Sequence, residues 1–92
     1  MKIIFSNKAN NTLVDIFEYI ATEYNMESAE RIVNEIIDGT IILEQFPKIG
    51  RIFKGENIRF LMIGKYVAVY YIDIKNDHII ITEIYTAGQN WR

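Results

Sequence analysis

The segment YVAVYYIDI, residues 66–74, decides the fold, because it predicts a strand that is buried on both faces. It is rich in β-branched and aromatic residues, which favour strands. Apolar side chains occupy nearly every position, whereas a strand with one wet face would alternate between apolar and polar residues. We therefore place this strand at the centre of a sheet.

Three further strands are predicted outward from this centre. IRFLMI at 58–63 comes before it, and HIIITEIYT at 78–86 comes after it. The gaps at 64–65 and 75–77 are short and polar, which favours antiparallel hairpins. KIIF at 2–5 adds a fourth strand near the start of the sequence. The sheet is therefore predicted to be four-stranded and mostly antiparallel.

Two amphipathic helices are predicted between the first and second strands. Ser6 offers a side-chain oxygen that can cap the first helix. Apolar residues then follow at helical spacing, namely Leu13, Ile16, Phe17, Ile20 and Tyr24. Asn25 is either the stop of this helix or the N-cap of the next. The short connection predicts that the two helices form an antiparallel hairpin.

The second helix carries a second apolar stripe, which runs from Ala29 to Leu43. Gly39 lies inside this stripe and suggests a close approach of another element. Pro47 ends the helix, because the residue before a proline is disfavoured in helical conformation. Residues 47–57, PKIGRIFKGEN, are predicted to form a loop. The result is one α+β domain over residues 1–92, with the order β-α-α-β-β-β and a helical hairpin packed on the sheet.

The composition limits the compartment and the chemistry. The 92 residues include no cysteine, so disulfides and thiolate metal sites are excluded. The N-terminal apolar stretch is too short for a signal peptide. No segment approaches the roughly 18 apolar residues of a membrane span. We expect a cytoplasmic protein without a membrane partner and without a cofactor.

The charges are divided unequally between the two halves. Residues 1–47 carry three basic against eight acidic side chains, a net charge of −5. Residues 48–92 carry seven basic against four acidic side chains, a net charge of +3. This division indicates two surfaces with different partners. The alternative is that the acidic residues only solvate the two helices.

The element order and several residues together resemble the RelE/ParE toxin superfamily. The first helix, NTLVDIFEYIATEYN, is similar to the family's pattern of leucine, acidic residue and isoleucine. The family's leucine, proline and Gly-Arg positions, its strand-opening arginine, and the tyrosines of its central strand are also matched here. The matching residues are Leu43, Pro47, Gly50, Arg51, Arg59, Tyr66 and Tyr70. The resemblance covers about 80 residues in order.

This resemblance implies the toxin of a toxin–antitoxin pair, but it does not choose a target. One branch of the superfamily cleaves messenger RNA on the ribosome, and another is associated with poisoning of DNA gyrase. Both branches are neutralised by an antitoxin whose C-terminal segment wraps the toxin. Such antitoxins usually bind operator DNA, so we expect this chain to contact DNA only indirectly.

The ribonuclease alternative has three candidate catalytic residues. Arg51 and Arg59 could clamp a phosphate through their guanidinium groups. Tyr85 lies near the position where many family members have a histidine, and it could stack on a base or donate a proton. Each also has a structural interpretation, since Arg59 could pair with Glu83 and Tyr85 could pack beneath Trp91.

Two features favour the ParE-like branch instead. The sequence pI is about 5.3, whereas ribosome-dependent ribonucleases tend to be strongly basic because they must neutralise phosphates. The ending Gln89-Asn90-Trp91 resembles that of many ParE-like members, so Gln89 and Trp91 are candidate binding residues. We expect a gyrase inhibitor, with the ribonuclease and an inactive interaction module as alternatives.

The antitoxin is expected to cover apolar side chains that the domain leaves exposed. The candidate anchors are Phe5, Phe17, Ile37, Ile41 and Phe53. The alternative is that these residues complete the domain's own core. His78, the one histidine, is interpreted as a solvated turn residue, and no metal site is predicted.

Overall fold

The computed structural model describes residues 1–87 and contains a five-stranded sheet with a helical hairpin. Along the chain the elements are β1 (Lys2–Phe5), α1 (Asn7–Glu23), α2 (Met26–Gly39), a short 3₁₀ helix (Ile41–Glu44), β2 (Arg51–Lys54), β3 (Ile58–Ile63), β4 (Tyr66–Asp73) and β5 (His78–Thr86). The strand order is β1-β5-β4-β3-β2. Strand β1 is parallel to β5, and the other neighbours are antiparallel. The predicted α+β class is confirmed.

The central position of β4 is also confirmed. It is the third of five strands in the sheet, and all but two of its residues are buried. Because side chains alternate along a strand, Tyr66, Ala68, Tyr70 and Ile72 share one face. These four residues form a single core with Ala9 and Leu13 of α1, Ile36 of α2, and the buried isoleucines of β5.

The opposite face of the sheet carries a second set of apolar side chains, and we call it the distal face. Val67 and Val69 of β4 are buried on this face although they lie outside the helix-side core. By strand register the neighbours of Val67 are Met62 on β3 and Tyr85 on β5, and those of Val69 are Phe60 on β3 and Glu83 on β5. The centre of the distal face is therefore apolar, and it is accessible at Met62, which is 53% exposed.

Both helix starts follow from their capping residues. The Ser6 hydroxyl accepts a hydrogen bond from the Ala9 amide at 3.0 Å. It also donates to the Thr82 carbonyl at 2.9 Å, which fastens the start of α1 to β5. The Asn25 side chain accepts from the Ser28 amide at 2.7 Å, so Asn25 is the N-cap of α2.

Neither helix has the length and apolar character needed to span a membrane, within residues 1–87.

The structure differs from the prediction in two elements. The sheet has one strand more than the four predicted, because the predicted loop contains β2, whose four residues are all exposed. The second helix ends at Gly39 instead of continuing toward Pro47. Thr40 follows, and its hydroxyl donates to the Ile37 carbonyl at 2.7 Å before the 3₁₀ helix begins. Such local side-chain bonding competes with a regular helix.

Gly39 allows the close approach that the sequence suggested. A Cβ atom at this position would lie 2.5 Å from Cγ2 of Ile63 and 3.0 Å from its Cγ1. The end of α2 therefore rests directly on β3, and only glycine leaves enough room.

Candidate functional site

The loop before β2 is held by the buried Tyr70 hydroxyl. This hydroxyl donates to the Pro47 carbonyl at 2.6 Å and accepts from the Gly50 amide at 3.0 Å. A Cβ at Gly50 would lie 2.5 Å from the same hydroxyl and 2.7 Å from the Phe60 carbonyl oxygen. Burial raises the pKa of Tyr70, although the Gly50 amide and the Arg59 charge act in the opposite direction. The hydroxyl therefore works as a neutral hydrogen-bonding group.

Arg59 holds the same loop through its guanidinium group. Its Nη1 donates to the Lys48 and Gly50 carbonyls at 3.2 and 3.0 Å, and its Nε donates to the Glu56 carbonyl at 3.0 Å. The proposed pairing of Arg59 with Glu83 is wrong. Glu83 forms an ion pair with Lys8 at 3.3 Å instead. We call Tyr70 and Arg59 together the loop clamp.

The three candidate catalytic residues do not converge on one point. By alternation, Arg59 faces the helix side with Tyr70, whereas Arg51 and Tyr85 belong to the distal face. Strands β2 and β5, which carry Arg51 and Tyr85, are three strand spacings apart, roughly 14 Å. The positions between them on the distal face are apolar and include Phe60, Val67 and Val69.

The predicted antitoxin anchors are spread over several surfaces. Phe5 and Ile37 are half-buried and pack against the helix-side core. Phe17 is also half-buried. Ile41 is 50% exposed in the 3₁₀ helix, and Phe53 is 45% exposed on β2, where its ring meets Phe60 edge to face. The remaining predicted binding residues, Gln89 and Trp91, lie outside the described residues.

A groove that sequence reasoning missed lies between the helical hairpin and one end of the sheet. Its volume is about 640 Å³. Its apolar lining comes from isoleucine side chains, namely Ile16, Ile20, Ile32 and Ile84. Tyrosine and charged side chains also line it, and they include Tyr19, Tyr24, Tyr66, Asp15, Arg31 and Lys65. Tyr19 and Tyr24 are exposed. These residues come from distant parts of the sequence, so only the tertiary arrangement reveals the groove.

The charge division of the sequence corresponds to two regions of the structure. The helical hairpin, residues 7–39, carries two basic and seven acidic side chains. Residues 48–59, around β2, carry four basic side chains and one acidic side chain. Within residues 1–87, Arg31 forms an ion pair with Glu35 of the same helix at 3.4 Å. Lys8, the other basic residue of the hairpin, forms its ion pair with Glu83 of β5. The molecule therefore presents an acidic hairpin and a basic sheet end.

His78 and the carboxylates give no indication of metal chemistry. His78 is half-buried and begins β5, opposite Asp73 and Lys2, so it is not the solvated turn residue that we expected. Its place at the start of β5 agrees with the strand predicted at 78–86. In the part of the chain that the structure describes, no group of three His, Asp or Glu side chains is arranged to hold a metal ion.

Comparison with known proteins agrees with this architecture. The family model for the ParE toxin of the type II toxin–antitoxin system parDE matches residues 3–91. A solved chain from the chromosomal ParDE TA system of P. aeruginosa has a TM-score of 0.81 at 22% identity, over 95% of this chain and 96% of that chain. At this identity the similarity shows a shared fold. Among curated proteins, none matches the sequence significantly. Because the family match spans almost the whole sequence, the chain belongs to the ParE toxin family of type II toxin–antitoxin systems.

Proposed function

We propose that this toxin arrests growth in the cytoplasm by binding and inhibiting DNA gyrase, and that a cognate antitoxin neutralises it. The observation that carries the proposal is the separation of Arg51, Arg59 and Tyr85. Metal-free RNA cleavage needs a general base and a general acid within hydrogen-bond reach of one phosphate. Here the Arg59 guanidinium is bound to three backbone carbonyls of its own loop. This arrangement favours a toxin that binds without catalysis.

The distal face supports a protein target. It combines buried valines with accessible side chains, since Met62 is 53% and Tyr71 is 39% exposed. Exposed apolar patches with Met and Tyr are typical of protein interfaces. An RNA-binding centre would need cations at the centre of this face, where Phe60, Val67 and Val69 are apolar instead.

Inhibition of gyrase is tested with the purified toxin in a supercoiling assay. We expect loss of supercoiling at micromolar toxin, and restoration when purified antitoxin is added first. Relaxation by an unrelated topoisomerase serves as the control and should not change. If a toxin whose expression arrests growth leaves supercoiling unchanged at micromolar concentration, gyrase is excluded as the target.

The ribonuclease alternative keeps one observation in its favour, because Arg51 and Tyr85 share the distal face. Under this alternative, primer extension after induction would show cuts in messenger RNA that follow the codon phase. The substitutions Arg51→Ala and Tyr85→Phe would then abolish the cuts. Intact transcripts in arrested cells would remove this alternative, and normal growth on induction without antitoxin would favour an inactive interaction module.

A further inference from the structure

The groove beside the helical hairpin is bounded by one face of each helix. Its lining residues on α1 recur at three- and four-residue intervals from Thr12 to Ile20, and those on α2 do so from Ser28 to Ile32. Its volume of about 640 Å³ lies within the range of about 300–1,000 Å³ that is usual for binding pockets. The groove is therefore large enough to accept a side chain as big as that of tryptophan.

The lining of this groove includes accessible apolar and aromatic side chains. Tyr19 and Tyr24 are 64% and 73% exposed. Ile16, Ile20 and Ile32 are only half-buried, although isoleucine is among the residues that are most often fully buried. A concave apolar surface of this kind is typical of a place where another segment binds.

Strand β5 leads the chain to the edge of this groove. Thr86, the last residue of β5, is one of the lining residues. Ala87 follows and donates its amide hydrogen to the carbonyl of Lys65, which also lines the groove. The next residues, GQNWR at 88–92, can reach about 16–18 Å when fully extended. The α1 face of the groove is about 12 Å long by its helical rise, so this segment is long enough to cross it.

The composition of segment 88–92 is complementary to the groove. Trp91 is the one tryptophan of the sequence and offers a large apolar ring, and Arg92 is the one charged residue of the segment. The hairpin that bounds the groove carries seven acidic and two basic side chains. Asp15 of the groove forms no ion pair with another residue of 1–87. A second copy that docked groove to groove would instead bring two acidic hairpins together, which is unfavourable.

We propose that segment 88–92 of the free toxin folds back over this groove, with the Trp91 ring between α1 and α2 and the Arg92 guanidinium near Asp15. The inference goes beyond the proposed function and holds whether or not gyrase is the target. Because the segment is attached to β5, the contact is intramolecular and has a high effective concentration. A partner that binds in the groove must first displace the segment, which lowers the partner's apparent affinity.

The test uses the fluorescence of Trp91 in the full-length free toxin, to which no other tryptophan contributes. A docked ring should emit at a shorter wavelength than N-acetyltryptophanamide, and acrylamide should quench it more slowly. Ile20→Asp places a charge in the groove, so emission and quenching should shift to those of the free compound. Val14→Asp is the matched control, because Val14 is 52% exposed on the same helix and is not a lining residue. This control should leave both readouts unchanged, and thermal melts verify that each variant is folded.

A charge swap tests the same contact without altering the apolar lining. Arg92→Glu should make Trp91 easier to quench, and Asp15→Arg/Arg92→Glu should restore the protection. A Trp91 that is quenched as fast as N-acetyltryptophanamide in the native toxin overturns the proposal. Protection that neither Ile20→Asp nor Arg92→Glu reduces also overturns it, because Trp91 then packs elsewhere. Protection that is lost on dilution overturns the intramolecular contact and indicates a second copy of the chain.

Discussion

At the scale of single residues, the positions that carry the family resemblance mostly stabilise a loop. Pro47 and Gly50 are bound by Tyr70, and Arg59 binds three carbonyls of segment 48–56. The sequence identifies these residues by their order and spacing. It does not reveal their role, because their partners are backbone atoms, which every residue possesses. An arginine predicted to bind phosphate consequently binds its own chain.

The Tyr70 hydroxyl is expected to contribute measurably to stability. Tyr70→Phe removes the acceptor of the buried Gly50 amide and the donor to Pro47. An unsatisfied buried group costs about 1–3 kcal/mol, so the free energy of unfolding should fall by that amount. Denaturant unfolding measures it. The control Tyr71→Phe removes a hydroxyl from a residue that is 39% exposed and should change stability by less than about 0.5 kcal/mol. Equal losses in the two variants would contradict the clamp.

The buried tyrosines also predict how stability depends on alkaline pH. Burial raises the pKa values of Tyr66 and Tyr70 above that of an unfolded tyrosine. Their contribution is therefore complete below about pH 10, where tyrosine is neutral in both states. As the pH rises through the folded-state values, the unfolded chain ionises first and stability is lost. The free energy of unfolding between about pH 9 and pH 11 should fall more steeply in the native protein than in Tyr66→Phe/Tyr70→Phe. An equal pH dependence of the free energy of unfolding in the two proteins would contradict this prediction.

At the scale of elements, the strands predicted at 2–5, 58–63 and 78–86 are found with the same bounds. Their apolar residues pack against neighbouring elements. The apolar pattern of the sequence therefore indicates the burial that stabilises these strands. Strand β2 was missed because all its residues are exposed and no alternation marks it. It exists because the clamp and β3 hold it, and these are tertiary contacts.

The contact between α2 and β3 gives a prediction at this scale. Gly39→Ala gains up to about 1 kcal/mol of helix propensity, but its Cβ meets the branched Ile63 side chain at 2.5 Å. A branched side chain is stiff, so overpacking should dominate and lower the free energy of unfolding by about 1–3 kcal/mol. In the Ile63→Ala background the same substitution should no longer destabilise. Strict additivity in this double-mutant cycle would show that the two residues do not interact.

At the scale of the whole molecule, the acidic hairpin and the basic sheet end were predicted as a charge division of the sequence. Their positions, the groove beside the hairpin and the apolar distal face were not predicted. Each depends on which residues the topology brings together, such as Ile16 of α1 with Ile84 of β5. The helices and the buried strands could therefore be predicted from periodicity. The surfaces available to partners could be identified only in the structure.

The distal face predicts a separation between stability and toxicity. Met62→Glu places a charge at a position that is 53% exposed, so the protein should remain folded. If the distal face contacts the target, the toxin concentration that inhibits supercoiling should rise at least about tenfold, the effect of losing roughly 1.4 kcal/mol. Val14→Glu, at 52% exposure on α1, is the matched control and should inhibit normally. A fully active Met62→Glu toxin would place the target surface elsewhere.

The parallel pairing of β1 with β5 also orders events during synthesis. Lys2 pairs with His78, so β1 must wait for residues that are made much later. A nascent chain that stops before residue 78 contains the whole helical hairpin, but it lacks the strand on which both β1 and α1 pack. Contacts between such distant residues form late and slowly. We therefore expect that a translation product that ends before residue 78 does not arrest growth. Growth arrest should require that residues 78–86 have been synthesised.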